Sequence, residues 1–363
     1  MSGLGQPATL GHGAPGRARE EGRHGGNTRV AGVATSVEST DRRRVKVLAA
    51  GGTISMTGAG GATPDLDSGA LVQAVPELEE HHGLEAETIV NLPSAHLSLG
   101  DQLDICRAAR DVARRGAGVV VTHGTDTLEE TAMLCDVLHD AEAPIVFTGA
   151  IRVSSASGAD GPANLSDAVS VAASEAAAGL GVLVCFGGEI HHARTVRKTD
   201  TTSLVAFSSP QTGPLGRVTE GRATIWSRVP RNPPLDPPDL EPRVLIVPTT
   251  AGDDGTLARA VLDTEPDGVV IGTLGAGHLA PPLLDLWREV AERIPVIAYC
   301  RAERGVILNG TYGYPASEKD LRGSGIVPAG FLSPQAARMK LLACLASGLS
   351  IDEVRWLFRQ DDG

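Results

Sequence analysis

Positive charge is in short supply in this sequence: 32 Lys and Arg stand against 44 Asp and Glu, a formal net charge of -12 over 363 residues. Phosphate binding needs clustered Lys and Arg, so this balance argues against nucleic acid or an anionic membrane as the main partner and toward a small-molecule substrate. Cysteine is also sparse. Cys106, Cys135, Cys185, Cys300 and Cys344 are odd in number, widely spaced and mostly set in apolar runs such as GVLVCFGG. With no CxxC pair for zinc or redox chemistry, they read as structural thiols in a reducing compartment. No HExxH occurs, so no metal is called for, and nothing in the chain asks for another cofactor. The N-terminus has no apolar signal-peptide core and no segment reaches membrane-spanning length, so the expected location is the cytoplasm.

What is present points to an α/β class. The chain is too long for one ordinary core and fits two domains. Residues 1–43 are rich in Gly, Arg, Ala, Ser and Thr without apolar periodicity and read as a disordered tail. From Val45 onward, short β-branched runs alternate with longer amphipathic stretches: VKVLAA, GVVVTHG, PIVFTGA, GVLVCFGG, VLIVPTT, GVVIGTLG and PVIAYC. Nearly continuous apolar strands between helices predict mainly parallel sheets covered on both faces. TLEETAMLCDVLH places Leu128, Ala132, Leu134, Cys135 and Leu138 on one helical stripe, with Glu129 and Glu130 near the positive end of the helix dipole. Ser350 followed by Glu353 is a capping-box signature for a closing helix. Between 219 and 243 a proline cluster interrupts both helix and central strand, which makes it the linker between a first domain at 44–218 and a second at 244–363.

In α/β proteins the loops at the carboxyl ends of parallel strands carry the sites. Two such loops here bear hydroxyls: GGTIS after the first strand, and THGTDTLEE after GVVV. The glycine pair of the first lets another molecule approach the backbone, as no Cβ stands in the way. A phosphate-cradling turn is the rival explanation, but the loop has no GxGxxG, no GxxxxGK[ST] and no Lys. The second loop gathers Thr122, His123, Thr125, Asp126 and Thr127 at a helix start, where Thr and Asp are also ordinary N-caps. A threonine hydroxyl needs a base to become a nucleophile. The ten histidines show no triad-like pattern, and the adjacent pair in EIHHAR points apart on a strand or a helix alike. The remaining base is a lysine, Lys198 in RTVRKTDTT, unless it is a solvated surface residue.

These residues carry a resemblance. AAGGTIS resembles the first threonine motif of the bacterial-type L-asparaginases, THGTDTLEETA the second, GADGPANL their turn-and-helix segment and RTVRKTDTT their lysine motif. GAGH lies in the expected place in the second domain, and GFLSPQAARMKLL resembles the family's closing helix, so the likeness runs from about Val45 to the C-terminus. It implies two α/β domains of Rossmann-like kind and hydrolysis of L-asparagine to L-aspartate and ammonia, with no cofactor. Thr53 becomes the nucleophile that forms an acyl-enzyme. Thr125, Lys198 and Asp126 become a hydroxyl–amine–carboxylate group, and Asp126 also pairs the substrate α-amino group. Ser94 in NLPSAHL corresponds to the serine that holds the α-carboxylate. Glu318 corresponds to the glutamate that a neighbouring subunit contributes, which implies a homodimer or homotetramer with shared sites. Backbone N–H groups of the glycine turns would hold the oxyanion.

Three departures accompany the likeness. The loop MTGAGGATPDLDSG has no tyrosine to activate the nucleophile, and Tyr299, Tyr312 and Tyr314 all lie in the second domain. Ala95 stands where glutamine is common, and His278 where asparagine or serine follows GxG. One amino-group contact is then missing, and a buried charge without a partner costs about 1–3 kcal/mol or more. Weak affinity for free asparagine, or another substrate, follows. Two further readings are an ammonia-supplying subunit of a transamidating system, for which an extra N-terminal domain is expected, and a sensor that has lost catalysis. Retention of Thr53, Thr125, Asp126 and Lys198 speaks against the sensor.

Overall fold

Every one of the β-branched runs forms a strand, since a run with apolar side chains on both faces is stable only when both faces are covered. The computed structural model describes residues 43–58, 63–64, 66–75, 78 and 84–362. The tail expected over 1–43 lies outside them except for Arg43, which pairs with Glu175 at 3.2 Å. The first sheet takes β1 (Val45–Gly51), β2 (Glu85–Leu92), β3 (Gly118–Thr122), β4 (Ile145–Thr148), β5 (Val182–Phe186), β6 (Glu189–His192), β7 (Gly216–Thr219) and β8 (Arg222–Ile225). Its spatial order is β8-β7-β6-β5-β4-β3-β1-β2. β1 to β5 run parallel and β6 to β8 add antiparallel. The second sheet, β9 (Val244–Val247), β10 (Gly268–Thr273), β11 (Val296–Cys300) and β12 (Val327–Pro328), is parallel in chain order.

The proline composition placed the start of the linker too early. Residues 219–225 contain no proline, and Glu220 and Gly221, with φ of 50° and 68°, make the positive-φ turn whose twist suits a hairpin. The chain therefore continues the first sheet through β8, and the extended proline-bearing stretch is 226–243. That stretch is fastened along the first half: Leu235 N–H donates to Val137 O (2.8 Å), Arg107 to Pro237 O and Pro238 O (2.8 Å each), and Arg110 pairs with Asp236 at 2.7 Å.

Helices α1 (Ser68–Gln73), α2 (Leu99–Arg114), α3 (Leu128–Leu138) and α4 (Gly161–Ala173) flank the first sheet; α5 (Thr256–Leu262), α6 (Pro281–Ala291), α7 (Glu318–Arg322), α8 (Pro334–Ala346) and α9 (Ile351–Arg359) accompany the second. α3 directly follows the THGTDT loop and is buried beyond its expected stripe, with Thr131 and Met133 covered as well. The reason is that α3 is packed on two sides, by the first sheet and by α8 of the second half. A single apolar cluster accordingly joins Leu134, Phe147 and Val184 to Ile297, Leu342 and Phe358. α9 begins with the anticipated capping box, Glu353 accepting from the Ser350 N–H at 2.8 Å. The five cysteines are free thiols and only Cys300 is partly exposed.

A buried charge network ties the two halves together. Arg194 faces Asp136 and Asp361, each at 3.4 Å, and Lys340 pairs with Asp361 while donating to Leu357 O at 2.9 Å. Breaking one member of such a network leaves a buried charge unpaired, at a cost of about 3–5 kcal/mol. His191 and His192 do point to opposite faces of β6, and both are buried.

Burial holds His123, His139, His191 and His192 neutral, each with its pKa lowered to about 4 from 6.5. Between those values the unfolded chain binds protons that the folded chain refuses, so stability rises with pH across the window and is lost as pH falls through it. The slope is about 1.4 kcal/mol per pH unit for each such group. Melting temperature measured from pH 7.5 to pH 4 should therefore fall steeply below about pH 6.5, before most carboxylates titrate. A melting temperature that stays flat down to about pH 5 would contradict the buried neutral histidines.

Candidate active site

β1 and β3 are neighbours in register, Ala49 opposite Thr122, so the loops that leave them emerge side by side at the carboxyl end of the sheet. The chain leaves β1 through Gly51 and Gly52, with φ of 82° and 87°, and enters a single 3-10 turn at Thr53–Ser55. A Cβ on Gly52 would lie 2.3 Å from Gly124 Cα, and one on Gly51 would lie 2.4 Å from Leu92 O. The space that the glycines leave is thus filled by the end of β2 and by the loop after β3. The expectation that they open the backbone to a ligand gives way to loop-on-loop packing. The Gly52 N–H is likewise engaged, donating to Leu92 O at 3.2 Å, and is not free to hold an oxyanion.

That packing sets the loops of Thr53, Thr125 and Ser94 side by side. Thr53 follows Gly52 directly and is partly exposed. Thr125 is 6% exposed, and Ser94, 4% exposed, sits against Gly124, where a Cβ would come within 2.6 Å of its Oγ. Lys198 Nζ donates to Thr125 Oγ1 at 2.9 Å and to Asp126 Oδ1 at 2.8 Å. Thr125 and Asp126 are therefore occupied by Lys198, while Thr127 is the N-cap of α3 and gives its hydroxyl to Ser94 O at 3.1 Å. Lys198 is mostly covered, whereas the Asp126 side chain is 67% exposed. His123 is turned inward, its Nδ1 on Gly124 O at 2.8 Å, and is held neutral by burial.

His278 and Glu318 form a second cluster, at the second sheet. Glu318 is fully buried at the head of α7, accepting from Tyr312 N–H at 2.7 Å, with His278 Nε2 at 3.3 Å. Burial pushes the Glu318 carboxyl up, but backbone N–H groups of Tyr312, Glu318 and Thr311, with His278, bring it below its ordinary value. The Tyr314 hydroxyl meets His278 Nδ1 at 2.8 Å. Among the described residues no hydrogen bond or ion pair links this cluster to Thr53, Thr125 or Lys198. Sequence reasoning missed Tyr312 and Tyr314 as neighbours of His278, although GTYGYP lies close before Glu318. It also read Glu129 only as a helix-dipole partner, whereas its carboxylate accepts the Lys198 backbone N–H at 2.5 Å.

Residues 44–231 match the family model for the N-terminal domain of asparaginase, and residues 243–358 match that of the glutaminase/asparaginase C-terminal domain. Fold and matches define a hydrolase acting on amides. More narrowly, the chain belongs to the asparaginase family. It is 37% identical over 323 residues to a probable L-asparaginase of Deinococcus radiodurans, covering 87% of this chain and 97% of that one. With L-asparaginase 2 of Escherichia coli it shares 32% identity over 329 residues, 87% and 92% of the two chains. The solved structure of a probable cytoplasmic L-asparaginase from Campylobacter jejuni has the same fold, with a TM-score of 0.75 and 29% identity over 88% of this chain and 99% of that one.

Two glycine substitutions compare a crowded positive-φ glycine with an open one. Gly52→Ala adds a Cβ in contact with Gly124 at φ 87°, whereas Gly116→Ala adds one at φ 88° with nothing within 4 Å. Strain alone costs about 1–3 kcal/mol, and overpacking costs a further 1–3 kcal/mol or so. Chemical denaturation should find Gly52→Ala the less stable by about 1 kcal/mol or more, with turnover lost only in that variant. Equal stabilities would remove the loop contact from the account.

Proposed function

We propose that this enzyme hydrolyses L-asparagine to L-aspartate and ammonia, with Thr53 as the nucleophile. The observation that carries the reading is the Lys198 bridge to Thr125 and Asp126, one loop away from Thr53. Thr53 Oγ1 attacks the side-chain amide carbon, the hydroxyl proton passes to the departing nitrogen, and the C–N bond breaks to release ammonia and leave an ester. Water then adds to the ester carbon, and the Thr53 oxygen leaves with a proton, freeing aspartate. Lys198 donates to Thr125 Oγ1, so the Thr125 hydroxyl hydrogen remains for another partner, the departing amine or the incoming water. Asp126, with most of its carboxylate open, takes the substrate ammonium, and Ser94 takes the α-carboxylate.

Among the described residues no hydrogen bond or ion pair joins Glu318 and His278 to that cluster, and with Glu318 fully buried the partly exposed His278 is the member open to a second copy's site. The assembly is then a homodimer or homotetramer with composite sites, and its free thiols suit the cytoplasm. The test is ammonia release by the purified protein on L-asparagine, D-asparagine, L-glutamine and small amidated peptides. Turnover of none of them would overturn the reading in favour of a binding protein.

Thr53→Ala and Thr125→Ala each delete a step, and each should lower turnover by at least about a thousandfold with the fold intact by circular dichroism. Near-normal release from either would refute its role. Shared sites predict complementation. Thr53→Ala and Glu318→Ala, each nearly inactive, yield mixed dimers with one intact site when unfolded and refolded together. About half the dimers are then mixed and about a quarter of wild-type activity returns. Co-refolded mixtures no better than the mean of the two variants would place Glu318 in its own chain's site or outside the reaction.

A further inference from the structure

Lys198 is held at both ends by one stretch of chain. Thr125 and Asp126 take its Nζ, and Glu129, in the first turn of α3, takes its backbone N–H at 2.5 Å. Around it the segment is tied by the buried Val196 and by the Thr199 N–H, which donates to Ala206 O at 2.8 Å, but neither contact reaches the Lys198 N–H itself. Its strand is two residues long, Arg197–Lys198 against Phe207–Ser208, and so short a ladder is weak by itself. The Asp126 carboxylate is largely exposed, and exposed ion pairs hold geometry poorly. Glu129, by contrast, stands on a helix whose Leu128, Thr131 and Ala132 are fully buried, so its backbone cannot drift. Burial raises the Glu129 carboxyl, and the Lys198 N–H and the Arg197 charge draw it partway back.

We propose that Glu129 is a positioning residue: its carboxylate clamps the Lys198 backbone so that Nζ stays within hydrogen-bond reach of Thr125. The proposal rests on the reading above, in which Thr125 and Lys198 serve the reaction. Glu129 touches no reacting atom and acts through Lys198 alone. A displacement of about 1 Å at such a group costs up to about a hundredfold in rate. Glutamine retains a carbonyl acceptor without the charge, and alanine retains neither, so the two contributions separate.

The experiment compares Glu129→Ala, Glu129→Gln, Lys198→Ala and the Glu129→Ala/Lys198→Ala double variant in the full chain. It reads ammonia-release kinetics, melting temperature and hydrogen exchange at the Lys198 amide. Glu129→Ala should lower kcat by about ten- to a hundredfold with a much smaller change in KM. Exchange at Lys198 should speed up by at least about tenfold, with the melting temperature within about 5 °C of wild type. Glu129→Gln should keep most of the rate and most of the protection, and the double variant should be no slower than Lys198→Ala. Glu129→Asp, one methylene shorter, serves as the truncation should the alanine variant not fold. Unchanged exchange in Glu129→Ala overturns the proposal whatever the turnover, as do a wild-type kcat in that variant and multiplied losses in the double variant. Near-normal turnover of Lys198→Ala refutes instead the assigned role of Lys198, and the exchange measurement, which needs no turnover, tells the two failures apart.

Discussion

Two glycine turns touching backbone to backbone set the geometry on which the site depends. Adjacent strands lie about 4.8 Å apart, so loops leaving them side by side must either diverge or meet with no side chain between them. Gly52 and Gly124 meet: a Cβ on Gly52 would sit 2.3 Å from Gly124 Cα, and one on Gly124 would sit 2.6 Å from Ser94 Oγ. Thr53, Thr125 and Ser94, each next to this contact or part of it, are thereby brought side by side although they lie far apart in the chain. The positive φ at Gly51 and Gly52 serves this contact and the sharp exit from β1 together.

α3 joins the site to the rest of the molecule. Its first turn brings Glu129 to the Lys198 backbone, just after the loop that binds the lysine amine, while its body lies between the first sheet and α8. The position of the polar groups is consequently referred to a large apolar cluster drawn from both halves of the chain. The Arg194, Asp136, Asp361 and Lys340 network acts in the same direction, as its charges pair only when the turn after β6, α3, α8 and the residues after α9 come together.

The readable parts of the sequence were those where local pattern and burial agree. Runs such as GVVV and GVLVCF are apolar on both faces, and β3 and β5 are indeed wholly buried. β2, EAETIVNL, is an edge strand with four exposed residues at its start, and it offered no comparable run. The hairpin β7–β8 went unread because the prolines downstream outweighed the Glu-Gly turn within it. The motif order singled out Thr53, Thr125, Asp126 and Lys198 as candidates, and the fold joins Thr125 and Asp126 to Lys198.

By itself the sequence determined the α/β class, the mainly parallel strands, the helix caps and the family, because these depend on periodicity and on short motifs within single segments. Only the tertiary structure decided what the glycines make room for, whether Thr125 caps a helix or binds a lysine, and what holds the Lys198 backbone. The physical reason is that each of these is a contact between segments far apart in the chain. Lys198 and Glu129 are 69 residues apart, and Gly52 reaches Gly124 only once β1 and β3 have paired. A hydrogen bond or a missing Cβ has meaning only against the group that comes to face it, and that group is chosen by packing.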